Sequence, residues 1–254
     1  MLPQIAPSDA FWITPSTQPT MYGQQTSVTG TYSKLITERL GIQIEGGFVR
    51  RGSFNGAQNL DIQIQYEAIL DRDHEFLMSF QVDQEIGGVG SSNVGNFAQS
   101  ATQPGFTFGK GFGDLPIASL RPLAITGFAG YQVANGQGVR PNMFNAGLSL
   151  QYSFPYLVSK VSDPGLPSLL SGMTPMIEVF LSTPVGRRYQ TSETLVIAPG
   201  VNYSQGSGWE VGIEALIPTN HATGTGWGII AQVVIQLDYL LPDSILGRPL
   251  IPSR

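Results

Sequence analysis

The 254-residue chain contains no cysteine and only two histidines, His74 and His221. The lack of cysteine excludes disulfide frameworks, thiol catalysis and cysteine-bound metals. Charged residues are also scarce, at 12% of the chain, which is about half the usual share. A soluble domain of this size normally has a surface that is about 25–35% charged. We therefore expect something other than water to cover part of this surface.

Long apolar runs are missing as well, and a transmembrane helix needs roughly 18 or more such residues. The start of the chain, MLPQIAPSDAFW, has neither a basic region nor an apolar stretch, so we expect no signal peptide within this numbering. The net charge of -5 argues against a nucleic-acid-binding domain. Helical periodicity is nearly absent, and the best short helix lies within 157–172, where Pro164 and Pro167 limit it.

Alternation of apolar and polar residues, which is typical of β-strands, dominates the chain. Within 60–70, for example, Ile62 and Ile64 alternate with Asp61 and Gln63. The pattern predicts eleven strands, with a weak twelfth at 10–16; the eleven lie at 26–36, 40–48, 60–70, 75–86, 104–112, 122–133, 143–154, 175–183, 194–204, 209–217 and 227–239.

The connections between these strands alternate in length. Segments 37–39, 71–74 and 205–208 are tight. The longer loops, rich in Gly, Asn and Ser, are 51–58, 87–103, 134–141, 184–193 and 218–226. Tight turns at one end and long loops at the other are typical of an outer-membrane barrel. Segment 155–174 breaks the pattern, because it is long and apolar yet falls on the tight-turn side. Twelve strands would bring both termini to that side, and bacterial single-chain barrels have even strand numbers.

The sequence therefore predicts an all-β fold, a single antiparallel transmembrane β-barrel of about twelve strands that takes up the whole chain. Residues 1–9 and 241–254 are expected to be short periplasmic tails outside the barrel, on the same side as the 155–174 connection. A soluble β-barrel or sandwich, which puts its apolar face inside, is the alternative. The membrane barrel is favoured because the apolar strand faces carry almost no charge and aromatic residues lie near strand ends.

On the membrane interpretation, the polar strand faces line the lumen. The expected lining residues are Glu45, Asp61, Gln63, Gln65, Glu67, Gln81, Asp83, Glu85, Glu178, Glu210, Glu214, Gln232 and Asp238. Nine of them are carboxylates, whereas basic residues cluster at the strand ends, so an open lumen is expected to prefer cations. Side chains, the N-terminal segment or loop 87–103 could plug it.

No motif indicates catalysis or a bound cofactor. GFTFGKGFGD (105–114) lacks the Ser/Thr and the following helix of a phosphate-binding loop, so it is interpreted as a glycine-rich strand. There is no GxSxG nucleophile elbow, and neither histidine has a second histidine at ligand spacing. We expect a protein that is not an enzyme, with no cofactor and no metal site.

Four stretches carry a family resemblance: QYSFPYL (151–157), PMIEVFLSTPVG (175–186), APGVNYSQGSGWEVGIEALIPTN (198–220) and LDYLLPDSILGRPL (237–250). They resemble Gram-negative outer-membrane barrels of the MetA-pathway-of-phenol-degradation-like family, which are described as transporters. The resemblance implies a single barrel in the bacterial outer membrane and supplies no catalytic motif. One departure is that fifteen residues follow Tyr239, whereas many outer-membrane barrels end on an aromatic residue.

Three functions remain open at this point. The first is a channel or transporter for small solutes, embedded in outer-membrane lipid. The second is a structural barrel with a plugged lumen, in which LPSLL (166–170) and ILGRPLI (245–251) dock a periplasmic protein partner. The third is a soluble ligand-binding β protein. The residues do not identify the solute.

Overall fold

The computed structural model describes residues 2–136, 138–186, 192–204, 206 and 208–251. Its strands are β1 (Ala10–Thr20), β2 (Gly23–Leu35), β3 (Leu40–Arg51), β4 (Phe54–Ala57), β5 (Leu60–Asp71), β6 (Phe76–Ile86), β7 (Ala101–Gly111), β8 (Leu123–Ala134), β9 (Asn142–Tyr152), β10 (Met173–Val185), β11 (Thr194–Tyr203), β12 (Trp209–Pro218) and β13 (Gly228–Gln236). Short helical turns occur at Ser92–Val94, Ala118–Leu120, Phe154–Tyr156, Leu157–Val161, Ser168–Ser171 and Leu237–Leu240. None of the helices in these described ranges is long and apolar enough to cross a bilayer.

Within the described residues, twelve long strands close into one antiparallel barrel. Each pairs with its neighbours in sequence, and β1 closes the ring by pairing with both β2 and β13. Trp12 of β1 lies opposite Thr31 on one side and Val234 on the other. The remaining strand, β4, is short and extends the pairing of β3 beyond the end of β5. The predicted barrel and its strand number are confirmed, and the weak strand at 10–16 is one of the twelve.

The two ends of the barrel differ, and we name them base and mouth. The base is the end where β1 begins and β13 ends. It carries the turns 36–39 and 72–75 but also two long connections, 112–122 and 153–172. The short connection between β11 and β12 is also at the base, and the mouth carries the loops at the opposite strand ends, including the two-residue turn 21–22. Loop length therefore separates the ends less cleanly than the sequence predicted.

The apolar face of the wall points outward. Ile44, Ile64 and Phe80 are exposed on the outer surface, Ile64 at 53%. The largest fully buried side chains of the described residues are all polar: Glu214, Thr31, Thr107, Asp9, Ser79 and Ser149. A barrel or sandwich with an apolar interior, the alternative raised by the sequence, is therefore wrong for this chain.

A bulge in β5 changes the predicted alternation near the base. The register against β6 shifts between Glu67 and Ile69. Beyond the shift, Ile69 rather than Ala68 pairs with Met78, which shares the outward face of Phe80. A β-bulge inserts one extra residue into one strand, so the assumption of unbroken alternation through Leu70 was wrong.

Candidate functional site

The lumen is the candidate site, and the inner face of the wall carries most of the side chains predicted there. Those on inward-facing strand positions are Glu45, Asp61, Gln63, Gln65, Glu67, Gln81, Asp83, Glu85, Glu178, Glu210, Glu214 and Gln232. Asp238 is the exception. Strand β13 ends at Gln236, and Asp238 lies exposed in the helical turn Leu237–Leu240, outside the barrel wall.

Four carboxylates gather in the half of the lumen nearer the mouth. Glu45, Asp61 and Glu85 lie directly opposite one another across β3, β5 and β6. Asp83 is two residues from Glu85 on the same face. Together they line a cavity of about 290 Å³. Like charges that face each other across strands destabilise a sheet unless another group relieves them, so the partners of these carboxylates matter.

One partner is a cation from a mouth loop. Arg140 forms an ion pair with Glu85 and is only 5% exposed. Its Nη1 also donates to the carbonyl oxygen of Gln99, at 2.7 Å. The Nδ2 of Asn59 donates a further hydrogen bond to Glu85 at 2.6 Å. The sequence placed Arg140 only among basic residues near strand ends. Its burial in the lumen depends on how the loop that follows β6 and the loop that follows β8 pack against each other. Alternation within strands gives no information about this.

Amide side chains supply the other partners. Gln63 Nε2 donates to Gln81 Oε1 at 2.8 Å, and Gln81 Nε2 donates to Asp83 at 3.1 Å. Gln103 Nε2 reaches the same Asp83 oxygen at 3.3 Å. On the neighbouring side, Glu45 accepts a hydrogen bond from Thr31 Oγ1 at 2.8 Å. The wall is thus a connected polar network that can exchange hydrogen bonds with a hydrated solute.

Two aromatic rings face the carboxylates across the same cavity. Phe128 and Phe180 are stacked with their centroids 5.7 Å apart, and both line the cavity. Strand alternation places them on inner-face positions of β8 and β10. The cavity therefore offers an apolar side as well as a charged one.

The other predicted carboxylates lie elsewhere on the inner face. Glu178 of β10 pairs with Ala198 of β11, and Glu214 of β12 pairs with Gly200 of β11. The two carboxyl groups therefore flank the small residues of β11, and both are almost fully buried.

Residues 2–8, here called the plug segment, run inside the lumen. The carbonyl oxygen of Ile5 accepts hydrogen bonds from Ser79 Oγ at 2.7 Å and Thr107 Oγ1 at 3.0 Å. Both donors are completely buried. The sequence analysis expected 1–9 to be a tail outside the barrel and also named the N-terminal segment as one of three possible plugs; for residues 2–8 the structure agrees with the second expectation and not with the first. The lumen wall offers hydroxyl donors to this backbone, and a strand-free segment of seven residues carries no periodicity that could have shown it.

Small residues of the wall make room for the plug segment. A Cβ atom at Gly109 would come within 2.7 Å of Ile5 Cδ1, and one at Gly147 within 2.5 Å of Leu2 Cδ2. Glycine permits such close approach because it has no side chain. Small residues on the inner faces of β7 and β9 were thus the sequence signal for an inserted segment.

Cavities of the lumen border the plug segment. The cavity with the four carboxylates and a second cavity of about 350 Å³ share Pro3, Gln43 and Glu45 in their lining. Gln4 lines the second cavity, and its carbonyl oxygen accepts a hydrogen bond from Gln65 Nε2 at 2.9 Å. The plug segment thus lines both of these cavities.

A buried ion pair fixes the chain where the plug segment meets β1. Lys34 Nζ lies 2.5 Å from Asp9 Oδ1, and the two side chains are 9% and 0% exposed. The same carboxylate oxygen accepts the backbone N–H of Leu35 at 2.8 Å, and Lys34 donates to the carbonyl oxygen of Arg248 at 2.8 Å. This ion pair, which we call the base latch, joins both ends of the described chain to β2.

Breaking the base latch is expected to destabilise the protein. Lys34→Met should lower the free energy of unfolding by about 3–5 kcal/mol, because it leaves a carboxylate buried without its cation. Urea unfolding in detergent micelles, followed by gel mobility, measures the change. Arg39→Met in the exposed turn 36–39 is the matched control, with an expected change within about 0.5 kcal/mol. Equal stability of the two variants would contradict a buried ion pair at this position.

The two histidines lie in loops at opposite ends, His74 in the base turn 72–75 and His221 in the mouth loop 219–227. His74 Nδ1 lies 2.9 Å from Asp71 Oδ2. The hydrogen bond to this carboxylate raises the pKa of His74 above its ordinary value. The glycine-rich stretch 105–114 begins in strand β7 as predicted, and Lys110 pairs with Asp114 at the base.

Comparisons with known proteins agree on the fold. No protein-family model matches the chain, and no curated protein sequence matches it. A NanC porin is similar with a TM-score of 0.60 and 10% identity, over 89% of this chain and 98% of that chain. A KdgM porin is similar with a TM-score of 0.55 and 12% identity, over 89% of this chain and 98% of that chain. The COG4313 outer membrane channel from Pseudomonas putida F1 is similar with a TM-score of 0.60 and 12% identity, over 92% of this chain and 96% of that chain. At these identities the likeness is one of fold.

Proposed function

We propose that this protein is a bacterial outer-membrane channel for small polar solutes, and that the plug segment closes it in the conformation described. One observation carries the proposal: an outwardly apolar closed barrel encloses a polar lumen in which two cavities meet at the plug segment. An apolar outer face with a polar interior is the arrangement of barrels that span a membrane. The base, where β1 begins and β13 ends, then faces the periplasm.

Two further lines support the proposal. The similar solved structures are named as porins and as an outer membrane channel, and the sequence resembles the MetA-pathway-of-phenol-degradation-like barrels. A twelve-stranded barrel has a lumen wider than that of an eight-stranded barrel, which side chains fill, and narrower than that of a sixteen-stranded porin. Such a width suits one small solute at a time.

The test is to measure heat-modifiable gel mobility and single-channel conductance on one preparation. A mobility shift together with discrete opening steps in planar bilayers is the expected result. A shift without any conductance would contradict the channel. It would favour the second candidate, a structural barrel that docks a periplasmic partner. The observation behind that candidate is the plug segment itself, which the hydroxyls of Ser79 and Thr107 hold in the lumen.

The assignment of the wall faces gives a prediction of its own. Ile64→Arg, on the outer face nearer the middle of β5, should destabilise the membrane-inserted protein by about 2–4 kcal/mol, the usual cost of arginine at the lipid midplane. Gln63→Arg, one residue along on the inner face, should cost far less because carboxylates and water surround it. Unfolding in urea from lipid vesicles compares the two. A larger loss for Gln63→Arg would mean that the faces are assigned the wrong way round.

A further inference from the structure

Residues 237–251, here called the tail segment, carry an exposed apolar surface that the proposed channel function does not explain. The exposed large apolar residues of this segment are Tyr239, Leu240, Leu241, Ile245, Leu246, Leu250 and Ile251. Ile245 is 64% exposed and Ile251 is 61% exposed. Contiguous apolar patches on a protein surface mark places that bind another protein or a membrane.

The tail segment lies against the outer side of the wall. In β2, Thr31 faces the lumen, so Lys34 shares the outward face of the exposed Val28. An outward lysine in this position would be open to its surroundings. Lys34 is instead only 7% exposed, and its Nζ donates to the carbonyl oxygen of Arg248 at 2.8 Å. The tail segment therefore covers it from outside, at the base.

Backbone hydrogen bonds hold the segment in this place. The N–H of Leu250 donates to the carbonyl oxygen of Leu35 at 3.1 Å, and the N–H of Ile251 donates to that of Ile36 at 2.8 Å. Both acceptors lie where β2 passes into the turn 36–39. The exposed apolar side chains are thus presented by a fixed backbone.

The apolar surface of the tail segment continues the outer surface of the barrel. A Cβ atom at Gly208 would lie within 2.6 Å of Tyr239 Cδ1, so Tyr239 sits beside the start of β12, where Trp209 is exposed on the outer face. On the other side, the exposed Phe11 and Val28 lie on the strands that meet the tail segment. Whatever covers the outer band of the barrel also reaches these residues.

We infer that the tail segment is a phospholipid-binding collar, seated in the interfacial layer of the leaflet on the base side. Its isoleucines and leucines lie among the acyl chains. Tyr239 and the exposed Arg248 suit the headgroup level, where aromatic and basic side chains concentrate. The inference rests on the proposed function insofar as it requires a membrane-spanning barrel. It assigns this patch to lipid rather than to a periplasmic protein or a second copy of the chain.

Fluorescence quenching by brominated lipids tests the collar directly. The chain has no cysteine, so a single introduced cysteine takes one fluorophore. The labelled variants are Ile245→Cys and Ile251→Cys in the tail segment, Ile64→Cys on the outer band and Asp73→Cys in the exposed polar turn at the base. Each full-length protein is reconstituted in phosphatidylglycerol-containing vesicles with bromine near the glycerol end of the acyl chains. We expect quenching at Ile245 and Ile251 to approach that at Ile64 and to exceed that at Asp73 several-fold.

The remaining outcomes separate this inference from the proposed function. Strong quenching at Ile64 with quenching at Ile245 and Ile251 no greater than at Asp73 would overturn the collar and leave the membrane barrel intact. In that case the apolar surface of the tail segment is a binding site for a protein partner. Oxidative dimers through Ile251→Cys in place of quenching would also overturn it, in favour of a second copy. Absence of quenching at Ile64 would overturn the proposed membrane barrel and, with it, the collar.

Discussion

A disulfide between Leu2→Cys and Gly147→Cys is expected to hold the channel shut, and its reduction is expected to let the channel open. The chain has no cysteine of its own, so this pair forms the sole crosslink. A Cβ at Gly147 would lie 2.5 Å from Leu2 Cδ2, so a side chain at position 2 reaches one at position 147, as a disulfide requires. Because Leu2 lies deepest in the plug segment, the crosslink prevents the segment from leaving the lumen.

Recordings from one bilayer before and after addition of a reductant measure the effect. We expect few or no openings from the oxidised double variant and frequent openings after reduction. Each single-cysteine variant should be indifferent to the reductant. If the oxidised and reduced double variants conduct equally, solutes pass the plug segment without moving it, and its role as a gate is wrong.

Weakening the anchor at Ile5 should act in the same direction without a crosslink. Ser79→Ala together with Thr107→Ala removes both hydroxyls that bind the Ile5 carbonyl oxygen. Two such hydrogen bonds contribute about 1–3 kcal/mol together, so the ratio of closed to open time should fall roughly 5–150-fold. Ser149→Ala is the matched control, because Ser149 is also fully buried but its hydroxyl accepts from Gln151.

The open channel is expected to prefer cations, and this is the second large effect. Glu45, Asp61, Asp83 and Glu85 line one cavity, and Arg140 offsets one of these charges through its ion pair with Glu85. Fixed negative charge in a narrow passage raises the local cation concentration, and salt screens this over about 10 Å at 0.1 M. The reversal potential across a salt gradient should therefore lie on the cation side and move toward zero as salt rises.

Two sets of substitutions separate the charges that produce this preference. Asp61→Asn, Asp83→Asn and Glu85→Gln combined should abolish most of it, because Arg140 then loses its partner. Arg140→Gln alone should strengthen it. Asp73→Asn in the exposed base turn is the matched control and should leave the reversal potential unchanged. Anion preference in the unmodified protein would refute the prediction.

The strands were predictable because each long strand faces two different environments. In 60–66 and 76–86, alternation between apolar and polar residues follows from an outer face against apolar surroundings and an inner face of hydrogen-bonding groups. The sequence placed these strands to within a few residues. It failed at the bulge after Glu67 and at Asp238. Both lie near the base, where the regular strand is interrupted or ends. There, an even or odd residue number no longer tells whether a side chain points into the lumen or outward.

The interior arrangement was less accessible to sequence reasoning. The plug segment has no periodicity, and its contacts with Ser79 and Thr107 link residues more than 70 positions apart. Arg140 lies in a loop, where composition does not say whether a charge turns toward water or toward a carboxylate. The carboxylates and glutamines themselves were predictable, because strand parity put them on the inner face.

The base latch also bears on the order in which the molecule can be assembled. Lys34 and the Arg248 carbonyl oxygen that it binds are separated by 214 positions, and β1 completes the ring only when it meets β13. Contacts between such distant parts form late, because the intervening chain must first be brought together. The plug segment therefore has no enclosed space to enter until β1 and β13 have paired. If the proposed function is correct, a copy whose ring has not yet closed is unplugged, and we expect a copy arrested at that stage to leak.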